Sequence, residues 1–412
     1  MPEAPTRKIL DGIRVLEWTA YVNGTAAGYM LGELGADVVK IEDPQRGDPY
    51  RGVNRIWGLP AELPGGRHVG IELVNRNKRS LGVDLKHPDG RAIVHELAQK
   101  ADVFFTNYFR NNVLERVGLD YDTLNALNPR LVYAVTTGWG SKSAEANDRA
   151  FGQAVEARMG AMWLTGDREY DQPFMVHNAT SDTMGATLLA LGIMTALFDR
   201  ERTGRGQRVE TSLVGSQMHA MGHAMNISLF SGACYARHSR RTHSAPFNNF
   251  YRCSDGEWIF LTEPEADRFW DEFSSLFGLD PADPRFAALE ARTRNAVELI
   301  KILDEIFATR TRDEWAKLFH DRKVGFAWSS IRRIDEAKTD PMLIDNGYLP
   351  WLDHPTLGRV RTLGFPIEFS EAHVAPRRAA PDVGEGGDDV LAEWLDASPD
   401  RVVALKTSGA LL

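Results

Sequence analysis

The sequence predicts an α/β protein whose larger domain is a Rossmann-like doubly wound parallel sheet, joined to a smaller α+β domain. Three observations carry this. The first 140 residues alternate short β-branched or aromatic runs with helical periodicity, the pattern of parallel strands covered by helices. From 231 to 246 the texture changes to SGACYARHSRRTHSAP, poor in aliphatic residues and rich in Arg and His, as suits a connection between domains. At 412 residues the chain exceeds one ordinary domain. The expected division is 1–228 for the large α/β domain, 229–340 for the linker and the small α+β domain, and 341–412 for a segment returning to the large domain.

Taken in order, RVLEWT (14–19) reads as a strand, 25–36 as a small-residue helix and DVVKIE (37–42) as a second strand, together a βαβ unit. SLGVDL (80–85), DVFFTN (102–107) and LVYAVT (131–136) follow as strands. Helices are expected at 88–100, capped through Asp89, and at 111–127, ending before Pro129. An uncharged stretch over 184–197 predicts a helix buried on most sides. The turn ERTGRGQR then leads into RVETSLV, a last strand of the first domain. FYRCSDGEWIFL (250–261) reads as a hairpin turning on Ser254, Asp255 and Gly256, with two charged helices between Ala266 and Arg322. HPTLGRVRTLGFPIEFS reads as an extended meander, and a tail helix near 388–395 is expected to pack back on the first domain.

Composition narrows the function. Hydrophobic residues make up 43% and charged residues 25%, a soluble globular profile. The longest apolar stretch, 184–198, falls short of the roughly 20 residues of a membrane span. The opening MPEAPTRKILDG has no apolar core of a signal peptide, so a cytoplasmic protein is expected. A net charge of −9 argues against a nucleic-acid or membrane-surface role. Cys234 and Cys253 are too few for a disulfide framework and lack zinc spacing, so both read as ordinary buried thiols.

A doubly wound sheet binds ligands outside the carboxyl ends of its strands, which directs attention to the loops after Thr19, Glu42, Asn107 and Thr136. Neither GxGxxG nor a Walker loop occurs there, so NAD and ATP use are unsupported, and Gly24 with Gly28 reads as close helix packing. Arg76, Lys78, Arg79 and Lys86 gather around one strand, either as a solvated face or as cations for a phosphate-bearing ligand. Asn107, Tyr108 and Arg116 form a second such set. His219 and His223 stand i, i+4, but without a third ligand they read as packing histidines, and no metal is expected. No GxSxG elbow is present, which disfavours a serine hydrolase. Asp182 precedes the long apolar helix. Its spacing alone favours a helix N-cap, with Asn178, Ser181 and Thr183 as further cap candidates.

Several blocks change that balance: LDGIRVLEWT, LGADVVKIEDPQRGDPYR, NRNKRSLGVDLKHPDGR, DVFFTNYFRNNVLERVGLDYDTLNALNPRLVYAVTTGWG and TGRGQRVETSLV. In this order, over nearly the whole chain, they resemble the family III CoA-transferases, a group that also contains α-methylacyl-CoA racemase. The resemblance implies an acyl-CoA:carboxylate CoA-transferase working as an interlocked homodimer, with acyl-CoA and a carboxylic acid as substrates; together with the sequence features above, a cytoplasmic enzyme using no metal, NAD or ATP is expected. It implies that Asp182 is a covalent nucleophile. It also implies CoA contacts from Val83, Asp84, Leu85, Lys86, Asn107, Tyr108, Arg116, Val117 and Arg149, with Lys86, Arg116 and Arg149 as phosphate partners.

Departures from the family pattern separate the subclasses. The racemases carry His-Asp in a GHD-type segment, where this chain reads Ala150-Phe151-Gly152. Racemisation needs an acid and a base on opposite faces of one carbon, so the missing histidine disfavours it. A racemase-type isomerase and a non-catalytic CoA-binding protein remain the alternatives. Asp43 stands where some members have arginine, RRTHSAPFNNFYR replaces a polyglycine loop of oxalate-type members, and Glu263 stays unassigned. Trp18, Tyr21, Phe151 and Met159 are candidates for an apolar acceptor site, with core packing the competing reading of each.

Overall fold

The computed structural model describes residues 7–233 and 237–412. The strands are β1 Arg14–Trp18, β2 Asp37–Glu42, β3 Lys78–Gly82, β4 Val103–Thr106, β5 Val132–Thr137 and β6 Arg208–Ser212. They form one sheet in the order β3-β2-β1-β4-β5-β6, and every neighbouring pair is parallel. This is the doubly wound order, with its reversal between β1 and β4.

Both faces of the sheet are buried. Val15, Val38, Val103, Phe105 and Val132 pack against helices α1 Asn23–Glu33 and α6 Thr180–Thr203. Leu16, Val39, Ile41, Phe104 and Tyr133 face the other way, toward α2 Pro88–Lys100 and the C-terminal helices α13 Gly387–Leu395 and α14 Pro399–Thr407. Strands β1, β2, β4 and β5 thus alternate their side chains between two cores. The last residues close over the end of β3: Leu412 N–H donates to Gly82 O at 3.1 Å and Asp84 N–H to Ala410 O at 3.0 Å.

Two compact units divide the described chain, one of 7–162, 175–233 and 344–412, the other of 163–174 and 237–343. The second has an antiparallel sheet of β7 Asn248–Arg252, β8 Trp258–Thr262 and β9 Trp328–Ile331. The expected hairpin is there, turning at Gly256 with φ 84°. Its core is aromatic, with Phe247 stacked on Phe273 at 3.8 Å and Tyr251 on Phe307 at 4.9 Å. Cys253 is buried there, and burial raises its thiol to about 11, with Asp255 adding to the shift. Cys234 lies outside the described residues.

Several expected boundaries move. The third strand begins two residues earlier than SLGVDL. The side chain that caps α2 is His87, accepting from Asp89 N–H, rather than Asp89. The helix expected at 111–127 breaks into α3 Val113–Val117 and α4 Tyr121–Leu127, because Gly118 turns left-handed (φ 68°) and Asp120 starts a new helix by accepting from Thr123 N–H at 3.0 Å. Four helices, not two, lie between Ala266 and Arg322: α9 Trp270–Phe277, α10 Leu289–Arg294, α11 Ala296–Phe307 and α12 Arg312–Arg322. The meander is a two-stranded ribbon, Trp351–His354 with Gly358–Arg361, and α14 follows the expected tail helix.

The long helix α6 also differs from expectation. At 24 residues it is long and apolar enough to cross a membrane by length and composition alone. One face packs into the sheet core through Ala186, Leu189, Ile193 and Leu197, whereas Thr183, Thr187, Leu191, Thr195 and Phe198 are exposed. It is a core helix with an uncovered stripe, not one buried on most sides.

Candidate active site

Cavities open at the carboxyl ends of the strands, where the reversal of strand order parts the crossovers. One, of about 410 Å³, is lined by Asn107, Tyr108, Arg116, Arg149 and Asp182 among others. A second, of about 340 Å³, is lined by Val83, Asp84, Leu85, Lys86, Tyr108 and Val117. Pro49, Tyr108 and Val113 belong to both walls, so the two spaces adjoin. All nine residues expected to touch CoA, together with Asp182, therefore lie on one continuous surface.

The loops that carry them are pinned to one another. The Asn107 side chain accepts from Ala20 N–H at 3.0 Å and donates to Ala20 O at 2.7 Å, tying the end of β4 to the end of β1. Trp18 stacks on Tyr108 at 4.5 Å across the same two strands. The break at Gly118 leaves α3 short, with Arg116 on the wall of the first cavity and Val117 on that of the second.

Beneath these loops lies a buried ionic cluster. Lys40 Nζ sits 3.1 Å from Glu17 and 3.0 Å from Asp48, and Lys78 Nζ sits 2.7 Å from Glu17, all four groups being shielded from solvent. Burial opposes the charge on Lys40, but Asp48, Glu17 and Glu42 outweigh it and hold its pKa above the ordinary value. For Lys78 burial prevails over Glu17, and its pKa falls to about 8. Arg76 pairs with the buried Glu33, and Arg79 with Asp37 at 2.5 Å. Of the four cations that the sequence gathers around β3, only Lys86 lines either of these two cavities; Arg76, Lys78 and Arg79 are paired with Glu33, Glu17 and Asp37 and are not a solvated face.

Asp48 passes this order upward by accepting from Tyr21 N–H at 3.1 Å and Tyr50 N–H at 2.8 Å. Tyr21 adopts φ 60°, a left-handed conformation rare for a bulky side chain, and its ring meets the edge of Phe151 at 5.5 Å on the wall beside Asp182. Arg149 lies 5.9 Å from the Phe151 ring centre. Met159 lines neither cavity, and Trp18 serves the second cavity rather than the Asp182 pocket.

Asp182 is not the helix cap. The N-cap of α6 is Ala179, left-handed at φ 48° and without a side-chain cap, which puts Asp182 at the third helical position. Asn178, Ser181 and Thr183 do not cap it either. Ser181 N–H instead donates to Glu156 at 3.3 Å, on the neighbouring helix α5 Gly152–Arg158. Asp182 is half-buried beside this carboxylate. Burial first, and the charge of Glu156 second, raise its pKa to about 6. Gly152 makes room for it, since a Cβ there would stand 2.3 Å from Asp182 Oδ2. The result is a carboxylate ionised at neutral pH and facing the cavity, which is the requirement of a carboxylate nucleophile.

Sequence reasoning missed Glu156, the role of Gly152, and the cations Arg46 and Arg110 on the cavity walls. A signal for Arg46 was present in its neighbour Asp43, whose carboxylate accepts from Gln45 and Arg46 N–H groups at 3.0 Å and turns that loop. His219 and His223 fall on separate helices, α7 Leu213–Ala220 and α8 Gly222–Ser231, and among the described residues no cluster suited to a metal occurs. Glu263 belongs to the second unit, where it accepts from Glu265 N–H at 2.8 Å and Ala327 N–H at 3.3 Å.

The chain matches CoA-transferase family III over residues 10–387. It is 29% identical to the cinnamoyl-CoA:phenyllactate CoA-transferase of Clostridium sporogenes, covering 93% of each chain. It is 28% identical to the human succinyl-CoA:glutarate CoA-transferase, covering 98% of this chain and 90% of that one. Among solved structures, a CAIB/BAIF family protein from Brucella suis superposes with a TM-score of 0.81 at 29% identity, covering 95% of this chain and all of the other. The chain belongs to CoA-transferase family III and is a CoA-transferase.

Proposed function

We propose that this chain moves CoA from an acyl-CoA to a carboxylic acid through covalent intermediates on Asp182. The observation that carries the reading is the half-buried Asp182 carboxylate on the wall of one cavity, beside a second cavity lined by residues 83–86. A carboxylate oxygen of Asp182 adds to the thioester carbonyl carbon, the C–S bond breaks, and its electron pair leaves on sulfur as CoA thiolate. The thiolate then attacks the aspartyl carbonyl of the mixed anhydride and expels the donor acid, leaving CoA as a thioester on Asp182. An acceptor carboxylate takes CoA by the reverse sequence. Dividing the transfer in this way replaces one difficult exchange between carboxylate and thioester by steps that each form and break one acyl bond.

In this reading Lys86, Arg116 and Arg149 meet the phosphates of CoA, and Val83, Leu85, Tyr108 and Val117 pack its apolar parts, with Asp84 and Asn107 among the polar contacts. Tyr21 and Phe151 flank the acyl group. Phe151 offers no proton, so an acid–base pair for racemisation is not supplied at that position. The enzyme works in the cytoplasm as a homodimer. Incubation with an acyl-CoA and hydroxylamine, followed by peptide mass spectrometry, should place a hydroxamate on Asp182. Asp182→Asn should still bind CoA while losing transfer by at least about a thousandfold, a scale set by losing a covalent route. An unmodified Asp182 in a preparation that turns over would sink the proposal.

A further inference from the structure

Glu156 lies on α5, one turn beyond Gly152, and is completely shielded from solvent. Its Oε1 accepts from the N–H of Ser181 at 3.3 Å and from the Ser181 hydroxyl at 3.4 Å. Its Oε2 is buried and has no hydrogen-bond partner, and among the described residues no cation pairs with it. Ser181 directly precedes Asp182, and a Cβ at position 152 would touch Asp182 Oδ2 and Ser181 Oγ together, at 2.3 and 2.7 Å. Two carboxyl groups thus share one corner, with two weak donors and no compensating charge. A buried polar oxygen left unpaired is costly, which makes it a strained feature rather than a stabilising one.

We propose that Glu156 is a positioning residue for the transfer: its buried charge disfavours the free Asp182 carboxylate relative to the acylated one. This rests on Asp182 being the nucleophile. When an Asp182 oxygen bonds to the thioester carbonyl carbon, the C–S electron pair departs on sulfur, so the negative charge leaves the corner that Glu156 occupies. Like-charge repulsion is present before the bond forms and absent after it, which favours acylation in the same way that it favours protonation. The charged groups that line the same cavity as Asp182 are Arg110, Arg116, Asp148 and Arg149; the Tyr50 phenol, its pKa raised by burial first and then by the Asp182 and Asp48 charges, is neutral. Among the described residues none of them forms an ion pair with it. Glu156 is therefore the charge whose repulsion the first step relieves.

A plainer role competes, since Glu156 satisfies Ser181 N–H at a helix start that Ala179 cannot cap. Glu156→Gln separates the two, because the amide oxygen still accepts from Ser181 while the charge is gone. The test compares the pH profile of kcat/KM in wild type, Glu156→Gln and Glu156→Asp, together with the rate of hydroxamate formation on Asp182. In wild type the acid limb should fall near pH 6, and Glu156→Gln should move it down by about one unit, a tenfold change in proton affinity. Hydroxamate formation at pH 8 should slow severalfold in the Gln variant, whereas Glu156→Asp should keep the wild-type limb. Coincident limbs in wild type and Glu156→Gln would overturn the assignment and leave the capping role. If the Gln variant fails to fold, a wild-type limb in the ordinary carboxylate range near 4 overturns it equally. No hydroxamate on wild-type Asp182 would count against the nucleophile itself, a separate failure.

Discussion

At the scale of single residues, Asp182 shows why a nucleophile differs from a cap. A capping carboxylate accepts hydrogen bonds from free N–H groups and its pKa falls, whereas Asp182 gains burial and a like charge and its pKa rises to about 6. The folded state therefore holds its proton more tightly than the unfolded one. Below the unfolded value near 4 both states are protonated and Asp182 has no effect on stability. Between about 4 and 6 the folded chain binds more protons, so stability falls as pH rises, and above 6 the full penalty remains. Asp182→Asn should then melt higher than wild type at pH 8, with the difference vanishing toward pH 4; equal melting temperatures at pH 8 would contradict this. Gly152 acts on the same group through space. Gly152→Ala should push the Asp182 carboxylate off its position and lower kcat by about a hundredfold, since small displacements of a reacting group have that effect, while circular dichroism and melting stay close to wild type. Neither effect was legible in the sequence, because both depend on α5 and α6 meeting at their starts.

At the scale of elements, the parallel sheet was readable because its inner strands β1, β2, β4 and β5 are buried on both faces and rich in Val, Ile, Leu, Phe or Tyr between helix patterns, whereas the edge strand β6 is partly exposed. The basic run around β3 was not readable, because its charges are spent inward. Lys78 and Arg76 carry the same letters as surface residues, and only the position of Glu17 and Glu33 across the fold turns them into buried pairs. The Gly24-Gly28 spacing reads as close helix packing, but what Gly28 approaches is a buried ion pair on the sheet: a Cβ there would stand 1.9 Å from Glu17 Oε2 and 2.8 Å from Lys78 Nζ. Helix α1 rests on that ion pair. An alanine in a helix ordinarily gains about 1 kcal/mol over glycine. Here it must prise apart a buried pair, for which breaking costs about 3 to 5 kcal/mol, so the second effect wins. Gly28→Ala should advance the first unfolding transition in urea, and a delayed transition would mean that α1 can shift outward at little cost.

At the scale of the whole molecule, the candidate site was legible through order rather than local spacing, since the contact residues come from loops after different strands and meet only once the sheet is wound. Assembly is the remaining question at this scale. Helix α6 buries one face in the sheet core and leaves Leu191 59% and Phe198 67% exposed, and nearby in the chain Leu229 is 70% and Phe230 89% exposed on α8. Apolar side chains turned outward on a long helix form the kind of surface that a partner chain can cover. The proposed interlocked homodimer supplies that chain, and it makes a sharper claim than simple association. Light scattering should give twice the 46.0 kDa of one chain. Threaded subunits separate only by unfolding, so dilution to nanomolar concentration should leave that mass unchanged, where an ordinary pair of moderate affinity drifts toward monomer. Phe198→Glu places a charge on the stripe and acts at the stage of assembly: refolded yield of dimer should fall, with the chain recovered as aggregate or monomer. A wild-type protein that is monomeric at micromolar concentration and still transfers CoA would remove the need for a partner and leave the α6 stripe unexplained.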